Sequence, residues 1–174
     1  MVNKNLSLII LLFAVFAFAS FAEGRGSDIT AFNTSRMATA LDVNGVSAGT
    51  TNSVEFTKGG SAVAIVDSGA TITSSTGTKL KFAEIELTNY KDSDEIQTSS
   101  VNSKFEILNT TSTTEAYIKV KIAGEHTFAD YLTALKALKY INNDANCDAT
   151  TREITFRLCN GPFGNIATTE VIVQ

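Results

Sequence analysis

TFADYLTALKALKYI, residues 127–141, is a helix-like stretch in a chain that otherwise reads as short strands and turns. Its apolar residues recur at intervals of three and four, which places them on one face of a helix; they are Phe128, Tyr131, Leu132, Leu135 and Leu138. Thr127 can cap the first turn through its hydroxyl, and Asp130 adds negative charge near the positive end of the helix dipole. From Leu135 onward the pattern fits a strand. The stretch therefore predicts a short helix that leads directly into a strand of the core.

Short strands are predicted for most of the chain after Met37, where runs rich in Val, Ile, Thr, Phe and Tyr are separated by Gly, Ser, Asn and Asp. The runs at residues 116–123 and 152–159 alternate between apolar and polar residues, as strands with one buried face do. A change of face between Phe82 and Ile85 predicts a bulge. The candidate strands are residues 40–43, 53–57, 62–65, 71–74, 80–87, 104–108, 115–122, 138–141, 152–158 and 168–173. Many short strands at this spacing predict a mainly β fold, an antiparallel Greek-key β-sandwich of immunoglobulin-like type with one short crossover helix.

The first residues form a separate unit. Lys4 gives a positive start, an apolar run covers residues 8–19, and small residues stand at Ser20 and Ala22. This order is typical of a secretory signal peptide cleaved after Ala22. The alternative is a membrane anchor, for which the run is shorter than the roughly 20 apolar residues of a bilayer span. We expect a signal peptide at residues 1–22, a loose N-terminal segment at residues 23–39 and one domain at residues 40–174, secreted and extracellular, with no membrane span after cleavage.

The charge balance disfavours two classes of partner. The chain has 14 Lys and Arg residues against 18 Asp and Glu residues, a formal charge of −4. Removing residues 1–22 takes away only the charge of Lys4 and makes the balance more acidic. Nucleic acids and anionic membrane surfaces both bind clusters of basic side chains. We therefore expect neither as a partner.

Cys147 and Cys159 are the only two cysteines in the sequence. In a secreted chain such a pair predicts a disulfide, and a bridge closing a loop of this size contributes about 3 kcal/mol in the chain-entropy model. A metal site is the alternative, but it needs further Cys or His ligands and His126 is the only histidine. A redox pair would have the C-x-x-C spacing, which these residues lack.

Two N-glycosylation sequons are present, beginning at Asn33 and Asn109. A glycan is bulky and polar, so a sequon that is used lies on the surface of a secreted protein. We expect both asparagines to be exposed glycosylation sites.

Catalysis by side chains needs a nucleophile with a base, or a pair of carboxyl groups with separated pKa values. The chain has a single histidine, His126, ahead of the predicted helix, and no nucleophile motif of the G-x-S-x-G kind. We therefore expect no catalytic residues, no enzyme activity and no organic cofactor.

Calcium is the one metal that the sequence indicates. Asp92 and Asp94 lie in one predicted turn and Asp144 lies in another, and carboxylates on turns are ligands that Ca²⁺ accepts. Neither turn matches the twelve-residue EF-hand loop, and Asp and Asn also favour turns for backbone reasons alone. A calcium site and a set of solvated turns both fit this pattern.

Several segments in the same order resemble the cadherin-like domains that recur in tandem in large bacterial surface and adhesin proteins. The similarity runs from about Val54 to Val173, and its most specific part is the helix-to-strand unit at residues 128–140. The other matching segments are residues 54–57, 62–66, 85–96 and 151–158, followed by Asn160-Gly161 and a closing strand. The resemblance implies an immunoglobulin-like sandwich used for extension, adhesion or matrix building.

These observations predict a secreted, non-enzymatic structural or adhesive module of an extracellular matrix, a surface coat or a mineralised skeleton. Self-association or binding to other matrix proteins would proceed through the edge strands of the sandwich. The alternative is an extracellular module that binds carbohydrate or another ligand, with or without calcium, through the loops at one end of the sandwich.

Overall fold

The computed structural model describes residues 39–47, 49–75 and 77–174. The predicted signal peptide at residues 1–22, the sequon at Asn33 and nearly all of the predicted segment 23–39 lie outside these residues. Within the described ranges, no helix is long and apolar enough to cross a membrane.

Eleven strands and one helix make up the secondary structure of the described part. The helix, α1, covers Phe128–Lys136. The strands are β1 (Thr39–Asp42), β2 (Thr51–Phe56), β3 (Val63–Ala64), β4 (Thr71–Ser74), β5 (Lys79–Leu87), β6 (Asp94–Gln97), β7 (Glu106–Ser112), β8 (Tyr117–Thr127), β9 (Lys139–Asn142), β10 (Arg152–Cys159) and β11 (Phe163–Val173). All ten predicted strands are present; β4 has the predicted bounds and the other nine have shifted ends. Strand β6 is an additional strand in a stretch that the sequence indicates as a turn.

The strands form three sheets. The largest has the order β2-β11-β10-β5-β8-β7, a second has the order β3-β9-β6, and β1 pairs with β4. Every pair is antiparallel except β2 with β11, which run parallel in the register Thr51 to Thr168. The predicted mainly β fold with antiparallel sheets is confirmed, and its organisation is sandwich-like because the inner faces of the two larger sheets share one apolar core.

The core follows from alternation along the strands. On β10 the predicted inward residues Ile154, Phe156 and Leu158 are all buried, and they face partners on β5 and β11. Across the core, the rings of Phe56 on β2 and Tyr140 on β9 meet edge to face at 5.2 Å. The two larger sheets therefore meet through aromatic and branched aliphatic side chains, which bury the most apolar area per residue.

The irregularity that the sequence predicts within β5 lies near the start of that strand, and its extra residue is on the neighbouring strand β8. The register of β5 against β8 shifts between Leu80 and Phe82, rather than between Phe82 and Ile85. Two residues of β8, Gly124 and Glu125, lie opposite the single residue Lys81 of β5, so the extra residue of this bulge belongs to β8.

Helix α1 begins where Thr127 predicts. The Oγ1 atom of Thr127 accepts a hydrogen bond from the backbone N–H of Asp130 at 3.2 Å, and the Asp130 carboxylate accepts one from the Thr127 N–H at 3.3 Å. This reciprocal capping box stabilises the helix start by about 1 kcal/mol. The helix ends at Lys136 and β9 begins at Lys139. The helix therefore carries the chain from β8 in the six-stranded sheet to β9 in the three-stranded sheet, as predicted.

Replacing Leu135 with Asp should unfold the domain. Leu135 is fully buried on the inner face of α1, and an unpaired carboxylate at this position costs about 4 kcal/mol or more. The matched control is Thr133→Asp on the exposed face of the same helix, which should change the free energy of unfolding by less than about 1 kcal/mol. Urea denaturation followed by circular dichroism measures both, and equal stabilities would show that the helix packs through another face.

The helix cap also predicts a dependence of stability on pH. The pKa of Asp130 is lowered to about 2 from its usual 3.8, first by the ammonium group of Lys104 and then by the Thr127 hydroxyl. A carboxyl group whose pKa is lower in the folded state stabilises the fold above its unfolded pKa, and this contribution is lost as the pH falls towards the folded pKa. The stability advantage of the native chain over Asp130→Asn should therefore be complete at neutral pH and should shrink between pH 3.8 and about pH 2.

Urea titrations across this pH range measure the difference. In a Lys104→Met background the pH dependence should weaken, because the hydrogen bond from Lys104 to Asp130 is the largest cause of the shift. A constant difference between native and Asp130→Asn chains at every pH would contradict the assignment.

Candidate functional site

A buried ion pair joins the two larger sheets. Asp94 on β6 accepts a hydrogen bond from the Nε of Arg152 on β10, with 2.7 Å between the atoms, and both side chains are 0% exposed. The other carboxylate oxygen of Asp94 accepts from the Tyr140 hydroxyl at 2.5 Å and from the Asn142 amide at 2.7 Å, both on β9. The four side chains form what we call the Asp94 network.

Asp94 has no free acceptor site left. Besides the three side chains of the network, the backbone N–H of Lys91 donates to its Oδ2 at 2.8 Å. Four donors match the four lone-pair directions of a carboxylate. The network is therefore suited to holding strands together, since Asp94 cannot also take a proton from a substrate or bind a cation without losing one of these partners.

Arg152 has partners on the solvent side as well. Its Nη1 donates to Asp148 at 2.9 Å and to the carbonyl oxygen of Thr150. Burial alone lowers the pKa of the guanidinium, but the hydrogen bonds that it donates to Asp94 and Asp148, together with the charge of Asp94, outweigh that effect and raise the pKa. The hydrogen bond from Arg152 in turn lowers the pKa of Asp148. Nη2 of Arg152 is buried with no hydrogen-bond partner in the described part, so part of the desolvation cost is not compensated.

Tyr140 stays protonated in this setting. Burial is the main cause that raises the pKa of its hydroxyl, and the hydrogen bond and charge of Asp94 raise it further. The hydroxyl therefore acts as a donor to Asp94 and not as a base. Tyr140 therefore has two roles: its ring packs in the core, and its hydroxyl donates a hydrogen bond to Asp94.

The structure does not gather the three predicted calcium ligands into one cluster. Asp94 is committed to Arg152, Asp92 is exposed, and Asp144 accepts from the Asn146 N–H at 2.8 Å in a local turn. Among the described residues, no three His, Cys, Asp or Glu side chains are grouped so that they could hold a metal ion. Calcium binding by Asp92, Asp94 and Asp144 stays a prediction. Asp94, one of the three predicted ligands, is already paired with Arg152.

The predicted disulfide between Cys147 and Cys159 is not formed. Both are buried free thiols. Cys147 lies near Tyr140 at the Arg152 end of β10, whereas Cys159 ends that strand and lies near Tyr131. An extended strand of this length separates its ends by about 23 Å, and a disulfide needs Cα atoms about 5.5–6 Å apart. The length of β10 is thus the physical reason that the prediction fails.

His126 lies on strand β8. It belongs to the last residues of β8, is half-buried, and meets the Phe105 ring edge to face at 4.7 Å. Its Nε2 lies 3.2 Å from the carbonyl oxygen of Lys104. The side chain therefore packs the start of α1 against the segment before β7.

The second sequon lies on β7, at one edge of the six-stranded sheet. Asn109 is exposed there, opposite Val120 of β8. Beside it runs a groove of about 300 Å³ between β6 and the inner faces of β7 and β8, which we call the β6–β7 groove. Its lining residues are Asp94, Glu95, Ile96, Gln97, Thr98, Ser99, Asn109, Thr111, Ile118 and Val120. Use of the sequon stays a prediction, and a glycan on Asn109 would stand over this groove.

Removing one partner of the buried pair should be costly. Asp94→Ala leaves the Arg152 guanidinium buried without its partner and should lower the free energy of unfolding by about 3–5 kcal/mol. The double variant Asp94→Leu with Arg152→Met removes both charges and should recover only part of that loss, because the Tyr140 hydroxyl and the Asn142 amide still lose their acceptor.

Urea denaturation measures these differences. Asp92→Ala is the matched control, since Asp92 is exposed and contributes its backbone carbonyl to Asn142; its effect should stay within about 0.5 kcal/mol. If Asp94→Ala were no more destabilising than Asp92→Ala, the network would not hold the sheets together.

Comparison of the chain with protein-family models, with curated proteins and with solved structures gives no match. The assignment of function therefore depends on the surfaces and side chains described above.

Proposed function

We propose that this protein is a secreted, non-enzymatic structural or adhesive module of an extracellular matrix, a surface coat or a mineralised skeleton, and that it self-associates through the edges of its large sheet. The observation that carries the proposal is the exposed edge strand β7. Extracellular location is supported by the signal-peptide pattern of residues 1–22.

Strand β7 offers a complete edge for pairing. In the part of the chain that the structure describes, its one strand neighbour is β8. Five of its seven residues are exposed, and Leu108 keeps 49% of its surface accessible. An exposed edge with unpaired backbone groups is a template for strand addition from another chain.

Two copies of β7 fit each other in antiparallel orientation. A twofold axis perpendicular to the sheet relates the two copies and keeps their inner faces on the same side of the joined sheet. In the register that pairs all seven residues of β7, this axis passes through Asn109. This register pairs Glu106 with Ser112, Ile107 with Thr111, Leu108 with Thr110, and Asn109 with its own copy. Glu106 is the one charged residue of the strand and meets Ser112, so no like charges are opposed.

The opposite edge of the same sheet supplies a second contact. Among the described strands, β2 has one partner in this sheet, β11, and its residues alternate between exposed and half-buried up to Phe56. A copy with two usable edges can have two neighbours, which is what a fibre or a coat requires.

The connections between sheets support the Greek-key, cadherin-like topology that we propose for the fold. The chain passes from the six-stranded to the three-stranded sheet between β2 and β3, between β5 and β6, and again through α1 between β8 and β9. Repeated crossing between two facing sheets is how Greek-key sandwiches are built.

A ligand-binding module is the second candidate function. The β6–β7 groove favours it, because hydroxyl, amide and carboxylate groups line this groove. Its volume of about 300 Å³ is at the lower end of the volumes of ligand sites. In the calcium-dependent version of this function, millimolar Ca²⁺ should raise the melting temperature, and an unchanged melt would contradict that version.

Charge substitutions on β7 test the self-association. In the proposed register Leu108 faces Thr110 of the other copy, so Leu108→Lys with Thr110→Lys opposes like charges at two places. This variant should weaken the dimer by about tenfold or more. Leu108→Lys with Thr110→Glu places opposite charges at the same positions and should restore association. Sedimentation equilibrium of protein without N-glycans measures the dimer fraction of each form.

Within one copy Leu108 lies opposite Lys121 and Thr110 lies opposite Lys119 on β8, so the double-lysine variant should be less stable than the native chain by about 1 kcal/mol. The dimer fractions are therefore compared at a temperature where circular dichroism shows both variants to be folded. A native protein that remains monomeric at the highest soluble concentration would contradict the proposal. Equal association of the two charge variants would contradict the β7 register.

A further inference from the structure

The six-stranded sheet extends beyond the strand that faces it. Strand β6 is the end of the three-stranded sheet and approaches β8, while β7 lies one strand further out. The inner residues of β8 are covered, with Ile118 at 6% and Val120 at 1% exposure, but Asn109 and Thr111 on β7 remain exposed. The β6–β7 groove occupies the position that a fourth strand of the smaller sheet would take.

The groove side of β6 is a free backbone edge. In the described part of the chain, β6 pairs with β9 alone. The Asn143 N–H donates to the Ser93 carbonyl, so Ser93 and Asn143 are a hydrogen-bonded pair of the antiparallel ladder. Hydrogen-bonded and non-hydrogen-bonded pairs alternate along such a ladder. Ser93, Glu95 and Gln97 then face β9 with their backbone groups, and the N–H and C=O of Ile96 point away from it, towards the groove. An added strand can form two backbone hydrogen bonds with Ile96.

The side chains of the groove fit a peptide better than a sugar. Its described lining includes no aromatic ring on which a sugar could stack. It offers hydroxyl and amide groups from Thr98, Ser99, Asn109 and Thr111 around two aliphatic side chains, Ile118 and Val120. This combination matches an extended segment that places small or β-branched residues towards the sheet.

We propose that the β6–β7 groove binds an extended peptide segment of a partner, which adds to β6 as a fourth strand. The segment has small or β-branched side chains on the face turned to the exposed Asn109 and Thr111 of β7. It is neutral or basic, because Glu95 lines the groove and the chain carries a formal charge of −4. This site uses the inner face of β7 and the edge of β6, so it is independent of the proposed pairing along the edge of β7.

A titration with a defined peptide tests the site. The probe is the capped peptide acetyl-Lys-Thr-Val-Ser-Val-Lys-amide, added to ¹⁵N-labelled protein at millimolar concentration. We expect saturable shifts of backbone amides at residues 95–99, with the Ile96 amide among the largest and slowed in hydrogen exchange. Thr111→Arg places a long side chain in the groove and should weaken binding by about tenfold or more.

The matched control is Thr110→Arg, on the same exposed strand but on its opposite face, which should change the affinity less than about twofold. A trisaccharide of N-acetylglucosamine is titrated in parallel. Absence of saturable shifts with the peptide, equal weakening by the two variants, or shifts of the same amides by the trisaccharide alone would each overturn the proposal. Since the readout is at β6, these outcomes are separate from the sedimentation result for β7.

Discussion

The buried pair of Asp94 and Arg152 is the constraint on which the arrangement of the two larger sheets depends. A charge in an apolar core is tolerated only when its partner and enough hydrogen bonds accompany it. Asp94 meets that condition through one donor from β10 and two from β9, so the relative positions of β6, β9 and β10 are set together. Strand β6 is held by these polar contacts to β9 and β10, and in the described part of the chain its backbone edge away from β9 has no strand partner.

The parts of the fold that local sequence determines could be predicted. The capping box at Thr127 and Asp130 and the alternation of Ile154, Phe156 and Leu158 are patterns within one element, and the structure contains all of them. The sequence does not predict strand β6, because the acidic residues around Asp94 also fit a solvated turn. One signal was present: Arg152 is in phase with Ile154, and Asp94 is in phase with Ile96, so each charged residue shares a face with a buried one. That phase predicts burial, and two buried opposite charges in one core predict a pair.

Properties that join distant parts of the chain could not be predicted in this way. The disulfide prediction rests on composition and closeness in sequence, but Cys159 ends β10 whereas Cys147 precedes the start of that strand, so the extended strand lies between them. The position of the sequon at Asn109 was visible in the sequence, whereas its place on an edge strand beside a groove depends on which strands pair. Strand order is set by contacts across the whole domain, so the candidate surfaces became apparent only with the structure.

The parallel pairing of β2 with β11 has a consequence for how the domain forms. Strand β11 lies between β2 and β10, and β2 is separated from it in sequence by most of the described chain. As the chain emerges from the ribosome, β2 is made early and has no partner in the large sheet until β11 is complete. Contacts of such long sequence separation slow folding, and unpaired strands are prone to aggregate. Strand β2 can therefore join the large sheet only after β11, the last strand of the chain, has been made.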